Sequence, residues 1–507
     1  MTKAEFGPTY QEEDKPIEDC AVFGMVSFSN RDVAPFAKLA LHATQNRGED
    51  GSGIAVLDSY SRMFRAHKDL GLVAQIYPED LSKINIVGSL AIGHNRYATS
   101  GTKNMPPEEK KRFLQPYIVA YNGRSIALAH NGNIPEKYIQ ELRKELPEGI
   151  PFQSDTDSEV LAWRIMHAEG KSWREKIKNG LSGVKGAYSL VIATDTGDLF
   201  GIKDPQGIRP LVIAKTGDGF AFVSETRGLE YFGKEIRERR EVGPGEMIHI
   251  MPSGEAASFQ LFPKGNTARC LIEPIYFKHP FSQEGSREVR DIRKRMGENL
   301  AAEFKFPEDY IVVGVPDSGL EIADGYARAV EKYPENLIKK DRYRPGRTFI
   351  ADSDGLRDEM LELKFTISDD VFGKKLIIID DSVIRGKTTR KLIASLKERG
   401  ALEVHVLSGS PPFINTCDLG VDIATLEELQ ALKRNGGNDF ILKSNEEIAQ
   451  EIGADSIGYL SLDGLISAIG GKKSDFCTNC LNRVHPIESL GVRADKLYKT
   501  SDILQIS

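Results

Sequence analysis

The stretch LIIIDDSVIRGKTT (376–389) decides the fold of the second half of the chain. Its four aliphatic residues, 376–379, read as a strand buried on both faces. Asp380 and Asp381 end that strand, and Ser382, Val383, Ile384, Arg385 and Gly386 make the turn after it. A helical pattern then starts at Lys387, Thr388 and Thr389 and runs through TTRKLIASLKERG (388–400). The Gly-Lys-Thr triplet invites a P-loop reading, but that loop needs a glycine five positions before Gly386, and Asp381 stands there. What is left is a strand–turn–helix unit whose backbone N–H groups at 385–389, with the Thr388 and Thr389 hydroxyls, can cradle a phosphate. The paired carboxylates can hold ribose hydroxyls or a Mg²⁺. The plain alternative is an ordinary strand, turn and helix with polar punctuation; the spacing DD-S-x-x-R-G-x-T-T argues against it.

Outward from this unit the pattern repeats. REVRDIRKRMGENLAAEF (287–304) reads as a helix, YIVVGVPDSG (310–319) as a strand and turn, EIADGYARAVEKY (321–333) as a helix and EVHVLSGSP (403–411) as a strand. Such alternation predicts a mostly parallel, doubly wound α/β sheet. The texture before about residue 262 differs. Short apolar runs such as CAVFGMVSF (20–28), SGIAVL (52–57), SLAIGH (89–94) and GAYSLVIAT (186–194) alternate with glycine-rich turns. Helical stretches are few: KYIQELRKEL (137–146) and SEVLAWRIMHAEG (158–170). That density of strands predicts a layered antiparallel α+β domain. The chain therefore divides into a charged leader (1–19), an α+β domain (20–262), an α/β domain (263–470) and a tail (471–507).

Composition narrows the function. The 507 residues suit roughly two or three domains. Lys plus Arg number 67 against 74 Asp plus Glu, a net charge of −7, which argues against nucleic-acid binding as the main task. No apolar run reaches the ~20 residues that span a bilayer, and the leader is too polar for a secretory or transit signal. A soluble, cytoplasmic protein without membrane or nucleic-acid partners is expected. Five cysteines, an odd number, do not make a disulfide scaffold.

Cys20 opens a buried strand directly after the leader, and taken alone it reads as a small core residue. Four further stretches change that reading: QNRGEDGSGIAV (45–56), GHNRYATSGT (93–102), AHNGNI (129–134) and SDTDSEV (154–160). Together with Cys20 they resemble the class II glutamine amidotransferases, whose N-terminal-nucleophile domain hydrolyses glutamine. A thiol must lose its proton to attack an amide. Release of the leader between Asp19 and Cys20 would put a free α-amine on the same residue to act as base. Asn131 and Gly132 can supply a side-chain amide and a backbone N–H to the oxyanion. Arg96 offers a fork for the substrate carboxylate and Asp157 a charge for its ammonium; a structural ion pair is the alternative for these two. The family usually has His where Asn46 stands and a hydrophobic residue where Asn95 stands.

The 376–389 unit, in turn, resembles the phosphoribosyl-pyrophosphate (PRPP) motif of type I phosphoribosyltransferases. The resemblance implies PRPP contacts from Asp380, Asp381, Ser382, Arg385, Gly386, Lys387, Thr388 and Thr389. VPDSG (315–319) resembles that family's pyrophosphate loop, with Asp317 and Ser318 facing ligand, and Ser318, Asp380 and Asp381 around Mg²⁺. DRYRPGRTFI (341–350), continuing to Arg357 and Lys364, resembles the mobile loop that closes on PRPP, although it carries one extra residue near Pro345. Arg347 and Lys364 supply cations suited to a polyphosphate.

A glutaminase domain followed by this second domain resembles the amidophosphoribosyltransferase family, and DPQGIRPL (204–211), IEPIYFKHP (272–280) and GSPPFINTCDLGVDIAT (409–425) extend the likeness across the junction. The resemblance implies conversion of glutamine, PRPP and water into 5-phosphoribosylamine, pyrophosphate and glutamate, the opening step of purine synthesis, in a homotetramer inhibited by purine nucleotides. Other enzymes with the same glutaminase should not carry DDSVIRGKTT. A non-catalytic PRPP sensor would have no use for Cys20, Asn131 and Asp157. Four cysteines remain: Cys270, Cys417 and the C-x₂-C pair Cys477 and Cys480. Four thiolates suit zinc or an iron–sulfur cluster equally, His485 could replace one, and two buried thiols plus a redox pair is the plain alternative. One branch of the family places cysteines in all four of these contexts around a [4Fe–4S] cluster, so the resemblance implies that cluster here.

Overall fold

In a computed structural model of the chain, residues 20–97, 105–263, 267–340, 365–423, 425–436 and 439–487 are described. The expected leader and the loop holding Arg347, Arg357 and Lys364 lie outside them.

The first half is built on two antiparallel sheets. Strand Ala21–Ser27 sits inside a seven-stranded sheet between Leu90–Arg96 and Gly219–Val223, with Phe23 opposite both Gly93 and Val223. Strand Arg124–Asn133 sits inside a six-stranded sheet beside Ala187–Thr194, with Asn131 opposite Ser189. The sheets face each other through Val22, Ile92, Ala127, Val191 and Phe222, all 2 % exposed or less. Helix Ala34–Ala43 covers the outer face of the first sheet, and helices Glu136–Lys144, Asp157–His167 and Trp173–Gly180 cover the second. The inner strands of each sheet are covered on both faces, which is why they read as continuous apolar runs.

The helix expected over 158–170 spans Asp157–His167 instead. Lys176 donates its ammonium to the Met166 and Ala168 carbonyls at 3.0 and 2.7 Å, capping the last turn. In the second half, strands Tyr310–Gly314, Lys375–Asp380, Glu403–Ser408 and Ser456–Tyr459 form one parallel sheet in that spatial order. Helices Val289–Glu303, Gly319–Ala329 and Lys387–Glu398 supply the expected windings. Asp380 thus leaves the sheet at the C-terminal end of a strand flanked on both sides, the position where open α/β sheets bind ligands.

Candidate active sites

Cys20 is the last residue before the first strand, so the sheet fixes its position. Ala21 lies opposite Asn95, which brings Arg96, at the end of the neighbouring strand, to the same rim. Asn131 and Gly132 come from the facing sheet, and Asp157 comes from the first turn of its helix. All five line one cavity of about 370 Å³, together with His130, Arg209 and Gly420. The five residues expected to process glutamine are therefore in one place.

Asn131 is 1 % exposed, and among the described residues neither end of its amide has a hydrogen-bond partner. A buried amide left unpaired is costly unless a ligand completes it. Gly132 has φ +144°, and a Cβ there would lie 2.1 Å from the Ala187 carbonyl oxygen, so no side chain fits. Asp157 accepts from the Ile134 N–H at 3.0 Å, the Ser158 N–H at 2.6 Å and the Ser158 hydroxyl at 3.0 Å. Burial pushes its carboxyl up, but His130 and these donors outweigh burial and hold it below the usual range, so it stays anionic. His130 Nδ1 stands 3.7 Å from Asp157 and 3.0 Å from the Ser158 hydroxyl. Burial drives the neighbouring His94 down to about 3, leaving it neutral against the His130 carbonyl at 3.1 Å. The guanidinium of Arg96 lies 5.2 Å from the Phe113 ring centroid, which orients its fork. Asn95 turns away, donating to the Leu41 carbonyl at 2.7 Å, while Asn46 bridges the Glu225 carboxylate and the Phe277 carbonyl, both at 2.9 Å.

At the second site Ser318 precedes helix Gly319–Ala329 and donates its hydroxyl to Asp381. Ser382 donates to the other Asp381 oxygen at 2.7 Å, and Asp380 accepts from the Asp381 N–H at 2.9 Å. Asp380, Asp381 and Ser382 are 5, 0 and 1 % exposed. Gly386, at φ +73°, takes the left-handed turn from which helix Lys387–Glu398 starts. Lys387 is exposed, Thr388 half-buried and Thr389 buried. Arg385 is held by Glu428 at 2.6 Å and by the Asp422 carbonyl at 3.1 Å. Asp317 pairs with Lys340 at 3.1 Å. Two carboxylates and a hydroxyl would give a Mg²⁺ only part of its shell, the rest being left to water and substrate phosphates.

The four other cysteines come together from distant segments. Residues Arg269–Cys270 form a short parallel pair with Phe476–Cys477, placing Cys270 opposite Cys477. The Cys480 carbonyl accepts from the Ile414 N–H at 2.8 Å, which brings in the segment of Cys417. Burial pushes the Cys270 thiol up to about 12 and raises the other three, and Cys270, Cys477 and Cys480 each feel charge on others of the set. Among the described residues no group of three or more His, Cys, Asp or Glu is arranged to hold a metal ion. His485 pairs with Asp418 at 2.9 Å.

Comparison with known proteins agrees with both halves. Residues 105–231 match the glutamine amidotransferase domain and residues 284–408 the phosphoribosyl transferase domain. An amidophosphoribosyltransferase of Synechococcus elongatus is 38 % identical over 94 % of this chain and 93 % of its own length. That of Bacillus subtilis is 38 % identical over 93 % and 94 %. The solved glutamine PRPP amidotransferase of B. subtilis, complexed with ADP and GMP, superposes with a TM-score of 0.80 at 37 % identity, over 92 % of this chain and 97 % of that one. A structure described as the allosteric regulatory enzyme of purine biosynthesis gives a TM-score of 0.81 at 36 % identity, over 92 % and 96 %. With the two sites in place and the likeness running through both domains, the chain belongs to the amidophosphoribosyltransferase family.

Proposed function

We propose that the chain makes 5-phosphoribosylamine, pyrophosphate and glutamate from glutamine, PRPP and water, with Cys20 as the nucleophile. The observation that carries this reading is the gathering of Cys20, Arg96, Asn131, Gly132 and Asp157 on one cavity. Residues 1–19 are removed, and the freed α-amine takes the thiol proton. The thiolate adds to the glutamine amide carbon, and Asn131 with the Gly132 N–H stabilises the oxyanion. Arg96 holds the substrate carboxylate and Asp157 its ammonium. Ammonia leaves, water hydrolyses the thioester to glutamate, and the ammonia adds to C1 of PRPP as pyrophosphate departs.

At the second site Asp380, Asp381 and Ser382 orient the ribose, while Gly386, Lys387, Thr388 and Thr389 hold the 5′-phosphate; Arg347, Lys364 and Arg385 add positive charge. Mg²⁺, held by Ser318, Asp380 and Asp381 and facing Asp317, would supply neutralising charge for pyrophosphate. Cys270, Cys417, Cys477 and Cys480 hold a [4Fe–4S] cluster that staples the tail to the second domain, away from the chemistry; a four-iron cluster is wider than a single ion, and four thiols in an apolar setting suit it. The enzyme works as a cytoplasmic homotetramer inhibited by purine nucleotides; among the described residues no helix is long and apolar enough to cross a membrane.

The test is Cys20→Ala, assayed for phosphoribosylamine with each nitrogen source. Glutamine-dependent synthesis should vanish and synthesis from added ammonia persist. Equal loss of both in a folded variant would overturn the division of labour. N-terminal mass analysis of active protein should begin at Cys20.

A further inference from the structure

Between the two sites lies a set of buried charges that neither reaction uses directly. Arg47, in the turn Gln45–Arg47, donates its Nε to the Cys20 carbonyl at 3.2 Å. Its two terminal nitrogens fork onto both oxygens of Glu273 at 3.1 Å each. The side chains of Arg47 and Glu273 are 0 and 4 % exposed. Glu273 belongs to the turn Glu273–Phe277, three positions beyond Cys270, where the chain passes into the second domain. Arg209 stands 3.7 Å from the same carboxylate, donates to the Gly420 carbonyl at 3.2 Å and lines the glutamine cavity. Asn133, next to the expected oxyanion donors, donates to the Asp418 carbonyl at 2.8 Å. The second domain thus borders the glutaminase cavity at Gly420.

We propose that Glu273, reaching in from the second domain, is a positioning residue for the glutaminase: it clamps Arg47, and Arg47 fixes Cys20 through its carbonyl. This rests on Cys20 as the nucleophile. Cys20 directly precedes strand Ala21–Ser27, so its own carbonyl is the nearest backbone group that can restrain both its amine and its thiol. A guanidinium can bond that carbonyl in one orientation only while its other edge is occupied, and a bidentate carboxylate supplies that constraint. Burial pushes the Glu273 carboxyl up, but Arg47, Arg209 and Lys278 outweigh it and hold it well below the usual range, so the clamp is ionised across the working pH range. Asn46 reinforces the same joint through Phe277.

The experiment measures alkylation of Cys20 by a diazoketone analogue of glutamine in the processed full-length enzyme, beside glutaminase kinetics and ammonia-dependent synthesis. Glu273→Gln keeps the shape but loses the charge; labelling and kcat should fall at least tenfold, with KM for glutamine within twofold and ammonia-dependent synthesis retained. Glu273→Asp should recover part of the labelling rate. Arg47→Lys, which keeps a cation but loses the fork, should label as slowly as Glu273→Gln. Wild-type labelling in the variants, a parallel loss of ammonia-dependent synthesis, or failure of all three to fold would overturn the proposal. A wild-type enzyme left unlabelled at Cys20 would overturn the nucleophile assignment itself, and the clamp with it.

Discussion

Replacing Asn131 by alanine separates catalysis from folding more cleanly than any other change at the glutamine cavity. Its amide is buried and makes no hydrogen bond to the described residues. Truncation therefore leaves no protein donor or acceptor stranded, and the usual penalty for doing so, about 1–3 kcal/mol, is avoided. Stability should change by less than about 1 kcal/mol, a shift of a few degrees in Tm for domains of this size. The transition state for thiolate attack, by contrast, loses one of its oxyanion donors. Removing such a donor costs about 2.7–4 kcal/mol, or 10²–10³ in kcat. The Gly132 backbone is untouched, so a residual glutaminase rate should remain. The assay is glutamate release at saturating glutamine, with thermal melting and ammonia-dependent synthesis as controls. Asn131→Ala retaining a third or more of the glutaminase rate would refute the oxyanion role. So would a melting point lowered by ten degrees or more, since the amide would then be a hidden structural partner.

Two other outcomes are expected. Asp380→Asn with Asp381→Asn should weaken Mg²⁺-dependent PRPP binding by about 10- to 100-fold, the worth of charge-assisted contacts, and leave basal glutaminase intact; calorimetry showing unchanged affinity would make the pair structural. Anaerobically purified protein should be brown and hold about four irons per chain, Cys477→Ser should lose them together with protection of the tail from protease, and colourless active protein with one zinc per chain would contradict the cluster.

The parts of this molecule that could be read from sequence are those where one contiguous segment carries both an element and its chemistry. LIIIDDSVIRGKTT contains strand, turn and helix start, and the structure sets Asp380, Asp381 and Gly386 in those roles. AHNGNI likewise places Asn131 and Gly132 on a strand ending at the cavity. His130, Arg209 and Gly420 were not identified as cavity residues, although all three sit in stretches singled out for their family likeness. Nothing local marks a residue whose importance lies in a partner 200 positions away. Arg47 and Glu273, separated by 226 positions, each look like a solvated surface charge until the fold buries them together. Arg385, expected at the phosphate, also donates to Glu428 and the Asp422 carbonyl, partners from another segment that no spacing reveals. The four cysteines were countable, but their assembly depends on a two-residue strand pair too short to leave a pattern.

That strand pair also sets a schedule. Cys270 lies where the first domain gives way to the second, and its partner strand, Phe476–Cys477, lies more than 200 positions later. At about 5–20 residues per second of synthesis, roughly 10–40 s pass between the appearance of one strand and the other. Through that interval the glutaminase domain is complete in sequence and can fold, yet the edge at Arg269–Cys270 still waits for its partner. The growing chain is thus a first domain tethered to an unsealed junction, and the seal arrives only when Phe476 and Cys477 emerge. A chain cut short between residues 421 and 475 would hold every residue that lines the glutamine cavity but lack this closing strand.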